Sequence, residues 1–410
     1  MISTEKKKKN KIRVAILLYK PLPKASPVGG EIAILTLLYV LKKIKHISDI
    51  EVLSISNKNV EKKISNNLTI KEIKGHTYPE RGIRWLLDLL CLFVFGFKPS
   101  LLLIEKNRKI LNELAKYNPD LLIVPNSFQV NPIINKYKLF NRKAKIIAYT
   151  DSPEVLVASF DYLEATSLPT FMKKLIRRLF YNNYIKFNKK VYTDFIKISD
   201  MVVVPTEFDK EEIIHLYNIG KNKIFVIPLI SYKKSEIKKM NLISKIKKVV
   251  FVGACNFWPN LQAIEIIKQK IAPKLKDIEF IIVGKYCKPQ RVDNVNVIGE
   301  VKNLDSILRD ADAFIAPIVS GRGIKTKILK YFLYRKPVIG TSLAFRGYKV
   351  KDNYNAIVED NIDNIWRRIY ELNRNRESIL RIQKNSIKVL EDFKISKLKQ
   401  KWTKLLTYGK

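Results

Sequence analysis

The sequence has few of the residues that bind metals or form disulfide bonds. Its 410 residues include only three histidines and three cysteines, all far apart: His46, His76, His215, Cys91, Cys255 and Cys287. No CxxC, HExxH or paired Cys/His spacing occurs, which excludes the usual zinc sites. An odd, scattered set of cysteines predicts buried small residues in a reducing compartment, without a disulfide framework. Any chemistry must therefore come from carboxylates, hydroxyls, backbone amides, lysine or arginine.

Acidic residues are also scarce relative to basic ones. The chain has 77 Lys and Arg against 38 Asp and Glu, a formal net charge of +39. Such an excess favours polyanionic partners, which include nucleic acid, anionic membranes and phosphorylated small molecules, and charge alone does not choose among them. The content of 47% hydrophobic and 28% charged residues is typical of a globular protein, and the length predicts two domains.

Long apolar runs are absent. The most apolar stretch, residues 85–104, is interrupted by Asp88, Lys98 and Pro99 and falls short of a membrane span. It predicts either one or two buried helices or a helix that lies on a membrane surface. The lysine-rich N-terminal segment has no apolar core of the kind that signal peptides carry. We therefore expect a cytoplasmic protein, with peripheral association at the inner face of the membrane as an open alternative.

Short β-branched runs alternate with helical patterns, which predicts parallel sheets covered by helices on both faces. We expect strands at 12–18, 51–55, 121–124, 145–149, 201–204 and 224–227, and then at 249–252, 280–283, 295–298, 313–316 and 337–340. The pattern predicts four segments: an N-terminal Rossmann-like domain (1–228), a linker (229–247), a C-terminal Rossmann-like domain (248–385) and a helix (386–410) that crosses back to the first domain.

Ligands of such sheets bind beyond the carboxyl ends of the strands, where the first domain has three groups of candidate residues. Gly29 and Gly30 open a helix, where backbone amides can approach an anion, although a glycine pair is also common in a simple turn. Asp151 can orient a sugar hydroxyl or assist a proton transfer, or it can cap the Asp-Ser-Pro turn. Asn126 and Ser127 follow a neighbouring strand and have the same two interpretations.

The strongest pattern follows the fourth strand of the second series. Gly321 and Gly323 flank Arg322 just before a helix that carries Lys325 and Lys327. A strand, a glycine-containing turn, a helix N-terminus and nearby cations together form a cradle for a diphosphate. The alternative interpretation is a solvated basic helix start.

The second domain also shows a resemblance to a known family. The segments FVGACNFWPNLQAIE, FIIVG, VIGEVKNLDSILRDADAFIAPIVSGRGIKTKILKYFLYRKPVIGT, FRGYKV and NAIVED occur in this order between residues 251 and 360. The series resembles the carboxyl-terminal domain of family-four, group-1-type glycosyltransferases of GT-B fold. The resemblance implies an α/β protein with two Rossmann-like domains that face each other across a cleft, followed by C-terminal helices, with the nucleotide-sugar donor bound mainly by the second domain.

The resemblance implies a donor site with contributions from both domains. The residues that match the loop contacting the donor diphosphate are Gly321, Arg322, Gly323 and Lys325. Gly29 and Gly30 match the glycine loop that closes on the diphosphate from the first domain. Asp151 aligns loosely with the family's acidic or histidine position in that domain.

Lys330 departs from the family pattern. The family usually has a glutamate at this position, which binds the ribose hydroxyls of the donor, so the charge is reversed here. Either the donor is held differently, with Lys330 in contact with a phosphate, or the activity is weakened or lost.

The function that the resemblance implies is transfer of a sugar from a nucleoside-diphosphate sugar to an acceptor hydroxyl, with retention and without a metal or other cofactor. Such a site must stabilise the leaving diphosphate with cations and helix-terminal amides, and the basic loop has that composition. The acceptor is expected to be a glycan or a lipid-linked or protein-linked molecule. Aromatic and basic residues interleave over 171–195, which fits either a helix on anionic lipid or an ordinary amphipathic helix.

The alternative function is a catalytically lapsed GT-B-like protein that binds nucleic acid or another polyanion. The net charge and Lys330 motivate it. The lysines are spread over both halves of the chain and no nucleic-acid-binding motif occurs, so nucleic acid is the less favoured partner.

Overall fold

The computed structural model describes residues 11–22, 29–75, 107–125, 130–150, 186–187 and 189–407, together with positions 91 and 171. The chain divides into two compact units. The first comprises Met1–Leu156, Lys174–Leu229 and Leu398–Lys410, and the second comprises Val157–Lys173 and Ile230–Lys397.

The first unit is built on an eight-stranded sheet. Its strands are β1 (Ile12–Leu18), β2 (Ile47–Ser56), β3 (Val60–Ser65), β4 (Leu68–Lys74), β5 (Leu121–Pro125), β6 (Lys145–Tyr149), β7 (Met201–Val204) and β8 (Ile224–Val226). The order is β3-β4-β2-β1-β5-β6-β7-β8, and among the described strands of this sheet only β3 pairs antiparallel, with β4. The hairpin β3–β4 was not predicted, because half of the β3 residues (VEKKIS) are charged and most of them are exposed at the sheet edge.

Helices cover both faces of this sheet. They include α1 (Gly29–Leu41), α2 (Arg108–Tyr117), α3 (Asn131–Phe140), α4 (Glu207–Tyr217) and the helical residues 189–198. Alternate residues of β1 face opposite sides, so Val14 packs with Leu37 in one core and Leu17 packs with Leu114 in the other. Burial on both faces explains the continuous apolar run of β1.

The second unit is built on a seven-stranded sheet. Its strands are β9 (Lys248–Val252), β10 (Glu279–Val283), β11 (Gln290–Val292), β12 (Val295–Gly299), β13 (Ala313–Ala316), β14 (Val338–Gly340) and β15 (Ile357–Val358). The order is β11-β12-β10-β9-β13-β14-β15, with β11 antiparallel to β12 and the other pairs parallel. The five predicted strands are present, within one residue at each end, and the short edge strands β11 and β15 were not predicted.

The helices of this part of the chain connect the strands and then form the C-terminal region. They are α5 (Trp258–Ile266), α6 (Leu304–Asp310), α7 (Thr326–Leu333), α8 (Ile365–Asn373), α9 (Arg376–Ser386) and α10 (Ile395–Thr407). The last helix contributes Leu398 and Trp402 to the core of the first unit, where the Trp402 ring lies 5.8 Å from that of Tyr149.

The cysteine prediction was wrong for one pair. Cys255 and Cys287 are 32 residues apart in sequence, yet they form a disulfide with their Cα atoms 4.9 Å apart. They follow β9 and β10, which are neighbouring parallel strands, so the sheet brings together two loops that are remote in sequence. Cys91 is free and partly buried.

In the part of the chain that the structure describes, no helix is long and apolar enough to cross a membrane. Residues 85–104 lie outside that part except for Cys91, and so does most of the basic and aromatic segment 171–195.

Candidate functional site

The candidate site lies where the strand order reverses in the second sheet, between β9 and β13. Strand β9 is central, with β10 on one side and β13 on the other. The connections that leave β9 and β13 therefore run to opposite sides, and a crevice opens between them at the carboxyl ends of the strands. Helices α5 and α7 begin directly after these two connections, so both direct backbone N–H groups and partial positive charge at this edge. The arrangement suits an anionic ligand.

Two glycines shape the connection between β13 and α7. Gly321 and Gly323 have φ angles of +86° and +65°, in the left-handed region that favours glycine. A Cβ atom on Gly321 would lie only 3.0 Å from Cγ of Pro259, in the first turn of α5. The two connections are therefore in close contact, and this contact requires a residue without a side chain.

Lys325 holds the same turn from inside. Its Nζ donates to the carbonyl oxygens of Gly321, Arg322 and Gly323 at 3.2, 3.0 and 2.9 Å. Its own carbonyl oxygen accepts a 2.8 Å hydrogen bond from the hydroxyl of Tyr348. In the structure the ammonium group of Lys325 stabilises the turn, and the diphosphate contact that the resemblance implies for it stays a prediction. Arg322 lies at the tip of the turn and is exposed.

Lys327 occupies the crevice itself. Its Nζ donates a 2.6 Å hydrogen bond to Oδ1 of Asn260 in α5 and lies 4.3 Å from the centre of the Phe251 ring in β9. Burial of the ammonium group lowers the pKa of Lys327 to about 7, and the positive charge of Lys325 adds to the effect. The sequence pattern identified this residue as a nearby cation and did not assign it to the site, because spacing does not show which lysine of a Lys-x-Lys pair turns inward.

Asn260 is fixed by its surroundings. Its Nδ2 donates a 2.9 Å hydrogen bond to the carbonyl oxygen of Ala254, which orients Oδ1 toward Lys327. A Cβ atom on Gly253 would lie 2.7 Å from Cγ of Asn260, so the connection after β9 passes tightly against this side chain. Ser320 also donates to Oε1 of Gln262 and joins the second connection to α5.

Lys330 lies one turn further along α7 in a different electrostatic environment. Much of its side chain is exposed, yet neighbouring protein atoms desolvate the ammonium group and lower its pKa, whereas the carboxylates of Asp305 and Glu236 act in the opposite direction. Asp305 itself accepts a hydrogen bond from Tyr334 and forms an ion pair with Lys238. The structure thus places Lys330 beside a cluster of charged residues of its own unit.

The first-unit candidates are described only in part. Gly29 and Gly30 are the first residues of α1, which follows β1 at the reversal point of the first sheet, between β2 and β5. Asp151, Asn126 and Ser127 lie outside the described residues. Among the residues that are described, no group of three or more His, Cys, Asp or Glu side chains is placed to hold a metal ion.

A comparison with protein families matches the part of the second unit that contains the crevice. Residues 246–375 match the family described as glycosyl transferases group 1. The match includes the turn at Gly321–Gly323 and the start of α7, and it confirms the resemblance inferred from the sequence. No curated protein sequence matches the chain significantly.

Solved structures resemble the chain over nearly its whole length. Sucrose-phosphate synthase (tll1590) from Thermosynechococcus elongatus is 14% identical, with a TM-score of 0.68 over 97% of this chain and 98% of that one. Anabaena Alr3699/HepE in complex with UDP is 11% identical, with a TM-score of 0.62 over 97% and 100%. A glycosyltransferase from Rickettsia africae ESF-5 is 13% identical, with a TM-score of 0.60 over 98% and 100%. These likenesses show the GT-B fold that the sequence predicted.

Proposed function

We propose that this chain, whose residues 246–375 match the family of group 1 glycosyl transferases, transfers a sugar from a nucleoside-diphosphate sugar to an acceptor hydroxyl. The observation that carries the proposal is the cationic turn at the reversal point of the second sheet, between the N-termini of α5 and α7. Similar structures support a diphosphate ligand, since Anabaena HepE has been solved with UDP and with UDP-glucose.

The chemistry of the transfer explains why such a turn is useful. The bond between the anomeric carbon and the diphosphate oxygen breaks, a bond from that carbon to the acceptor oxygen forms, and the acceptor proton passes to a base. Negative charge accumulates on the leaving diphosphate, and helix-terminal amides with Arg322 and the lysines of α7 stabilise it. The cationic and amide groups do the work that a divalent cation does in other transferases, so the proposed reaction is metal-independent, and it proceeds with retention.

The first unit supplies the acceptor side in this proposal. Asp151 follows β6 and is assigned the catalytic carboxylate, while Asn126 and Ser127 follow β5 and are assigned contacts to the sugar or the acceptor. Gly29 and Gly30 at the start of α1 are assigned a contact to the diphosphate. A glycan acceptor is supported by the similar structure of S. aureus TarM, solved with Fondaparinux, alpha-GlcNAc-glycerol and UDP.

A panel of uridine, guanosine and cytidine diphosphate sugars tests the proposal. We expect one of them to bind in calorimetry and to release its nucleoside diphosphate when an acceptor glycan is present. Replacement of Arg322 and Lys325 together by alanine should abolish binding, whereas Lys276→Ala, at an exposed turn before β10, should not. A wild-type protein that binds none of these donors but binds DNA at physiological salt would instead support the lapsed, polyanion-binding alternative.

A lipid-linked acceptor at an anionic membrane is the remaining part of the proposal. Flotation with vesicles that contain or lack anionic lipid tests it, because binding to anionic vesicles alone is expected for a basic surface helix. If the floating fraction contains the same amount of protein without lipid and with either vesicle type, the membrane location is contradicted.

A further inference from the structure

Lys325 and Lys327 lie at the start of α7, and their side chains make different contacts. Lys325 directs its Nζ back to three carbonyl oxygens of the glycine turn. Those contacts engage the three protons of the ammonium group, so an incoming phosphate would have to displace the turn to reach them. The side chain that projects into the crevice is that of Lys327, which spans from α7 to α5.

The surroundings of Lys327 are nearly devoid of charge. From α5 it faces the amide of Asn260, and from β9 it faces the ring of Phe251. None of the ion pairs among the described residues includes Lys327. Lys325 is the charged group whose field acts on it, and that field is repulsive.

In the described part of the chain, the buried ammonium group of Lys327 has no negative charge beside it to balance its own charge. An ammonium ion loses its hydration when it is buried, and a nearby negative charge can compensate for this loss. Neither the Asn260 amide nor the Phe251 ring carries such a charge. A diphosphate bound between the starts of α5 and α7 would supply that charge, and it would also meet the partial positive charge of both helix ends.

We propose that Lys327, and not Lys325, is the side chain that meets the donor diphosphate, and that its amine takes up a proton when the donor binds. The inference rests on the proposed function, because it assigns a role within the same donor site. Asn260 keeps the amine in place in the free protein by accepting one of its hydrogens, and Lys325 acts as a positioning residue that holds the turn.

The proton balance follows from the burial of the amine. In the free protein the pKa of Lys327 is about 7, so the amine is mostly neutral at pH 8. The diphosphate raises that pKa toward its ordinary range, and the amine gains one proton from the buffer. The terminal phosphate of UDP has a pKa of about 6 and is already ionised at pH 8, so it contributes little to the proton count.

Calorimetry measures this proton directly. UDP and, as a probe without a base, inorganic pyrophosphate are titrated into the full-length protein at pH 8 in two phosphate-free buffers of different ionisation enthalpy. We expect an uptake of roughly half a proton or more per UDP bound. We also expect the UDP affinity of the wild-type protein to fall as the pH rises above about 7, because deprotonation of the amine then competes with binding.

Variants of Lys327 test its role. Lys327→Met should remove the proton uptake and weaken UDP binding about 10- to 100-fold, and Lys327→Arg should retain binding without proton uptake, since a guanidinium stays charged. Lys276→Met removes one charge at an exposed position at the opposite end of the strands and should change neither quantity.

Each outcome is decisive. Tight UDP binding without proton uptake, or with the same uptake in Lys327→Met, overturns this inference and leaves the proposed function standing. If neither UDP, GDP, CDP nor pyrophosphate binds the wild-type protein, the proposed function itself fails. The pH profile of the wild-type protein gives the same test if Lys327→Arg does not fold.

Discussion

The backbone N–H of Val252, the last residue of β9, donates a 2.8 Å hydrogen bond to the hydroxyl oxygen of Tyr331 in α7. The ring of Tyr331 stacks on Phe314 of β13, with 4.5 Å between the ring centres and an interplanar angle of 7°. One buried side chain therefore joins α7 to both strands that border the candidate crevice, and it fixes the position of the helix against the sheet.

Replacement of Tyr331 by phenylalanine should keep the stacked ring and lose only the hydroxyl. The N–H of Val252 would then be buried without this acceptor, and we expect the free energy of unfolding to fall by about 1–3 kcal/mol. Urea denaturation measures the change. Tyr334→Phe is the matched control, because its hydroxyl donates to the partly exposed Asp305, whose carboxylate water can solvate. An equal loss in both variants would contradict the special role of Tyr331.

Periodicity predicted the strands that carry the site. The apolar runs of β9 and β13 are buried, and such runs are recognisable without tertiary information. The edge strands β3 and β11 are exposed and polar, so their sequences lack the signal that burial produces.

The roles of individual side chains in the site were harder to predict from the sequence. The glycine turn was recognised from two glycines between a strand and a basic helix start, but the directions of Lys325 and Lys327 depend on packing against Asn260 and the turn carbonyls. The disulfide depends on the order of the strands, which brings Cys255 and Cys287 together. Local patterns contain neither kind of information.

Gly321 should not tolerate a branched side chain. Valine would have to adopt φ near +86°, and its Cβ would lie 3.0 Å from Pro259. We expect Gly321→Val to cost about 1–2 kcal/mol of stability from the backbone conformation alone, and to weaken donor binding because the turn must move. Gly321→Asn is the comparison, since asparagine enters the left-handed region more readily. Thermal unfolding and UDP titration of both variants check this, and a valine variant as stable as the asparagine variant would argue against it.

The burial of Lys327 predicts a particular dependence of stability on pH. In the unfolded chain the pKa of this lysine is near 10.5, and in the folded protein it is about 7. Between these values the unfolded chain binds the proton and the folded protein does not, so the free energy of unfolding rises with pH. Below about pH 7 both states bind it, and the cost of the buried charge is fully present.

Comparison with Lys327→Met isolates this contribution, because Lys327 is the one ionisable group by which the two proteins differ. We expect the variant to be more stable than the wild type at pH 6.5–7, by a few kcal/mol at most, since each pKa unit is about 1.4 kcal/mol and partial access of water reduces the cost. The difference should shrink toward pH 10.5. Denaturant midpoints across this range measure it, and a difference that stays constant with pH would exclude a depressed pKa at this lysine.

Lys330→Glu introduces the glutamate that the sequence resemblance implies at this position, yet we expect it to destabilise this chain. The new carboxylate would lie near those of Asp305 and Glu236, which now interact favourably with the Lys330 ammonium. The groups are partly exposed, so the loss relative to Lys330→Gln should be below about 1 kcal/mol and should decrease at high salt. Urea denaturation at low and high ionic strength tests this, and a glutamate variant more stable than the glutamine variant would show that the neighbouring carboxylates do not act on this position.

The disulfide between Cys255 and Cys287 should stabilise the second unit when it forms. It closes a loop with a sequence separation of 32 residues, for which the loss of entropy in the unfolded chain corresponds to about 3–4 kcal/mol. Reduction, or Cys255→Ser with Cys287→Ser, should therefore lower the denaturant midpoint, whereas Cys91→Ser should leave that contribution in place because Cys91 is free. Because the bond ties the connection after β9 to the one after β10, reduction should also weaken UDP binding through the Gly253 contact with Asn260. Thiol alkylation followed by mass spectrometry checks the pairing, and alkylation of all three cysteines in the unfolded, unreduced protein would show that the bond is not formed.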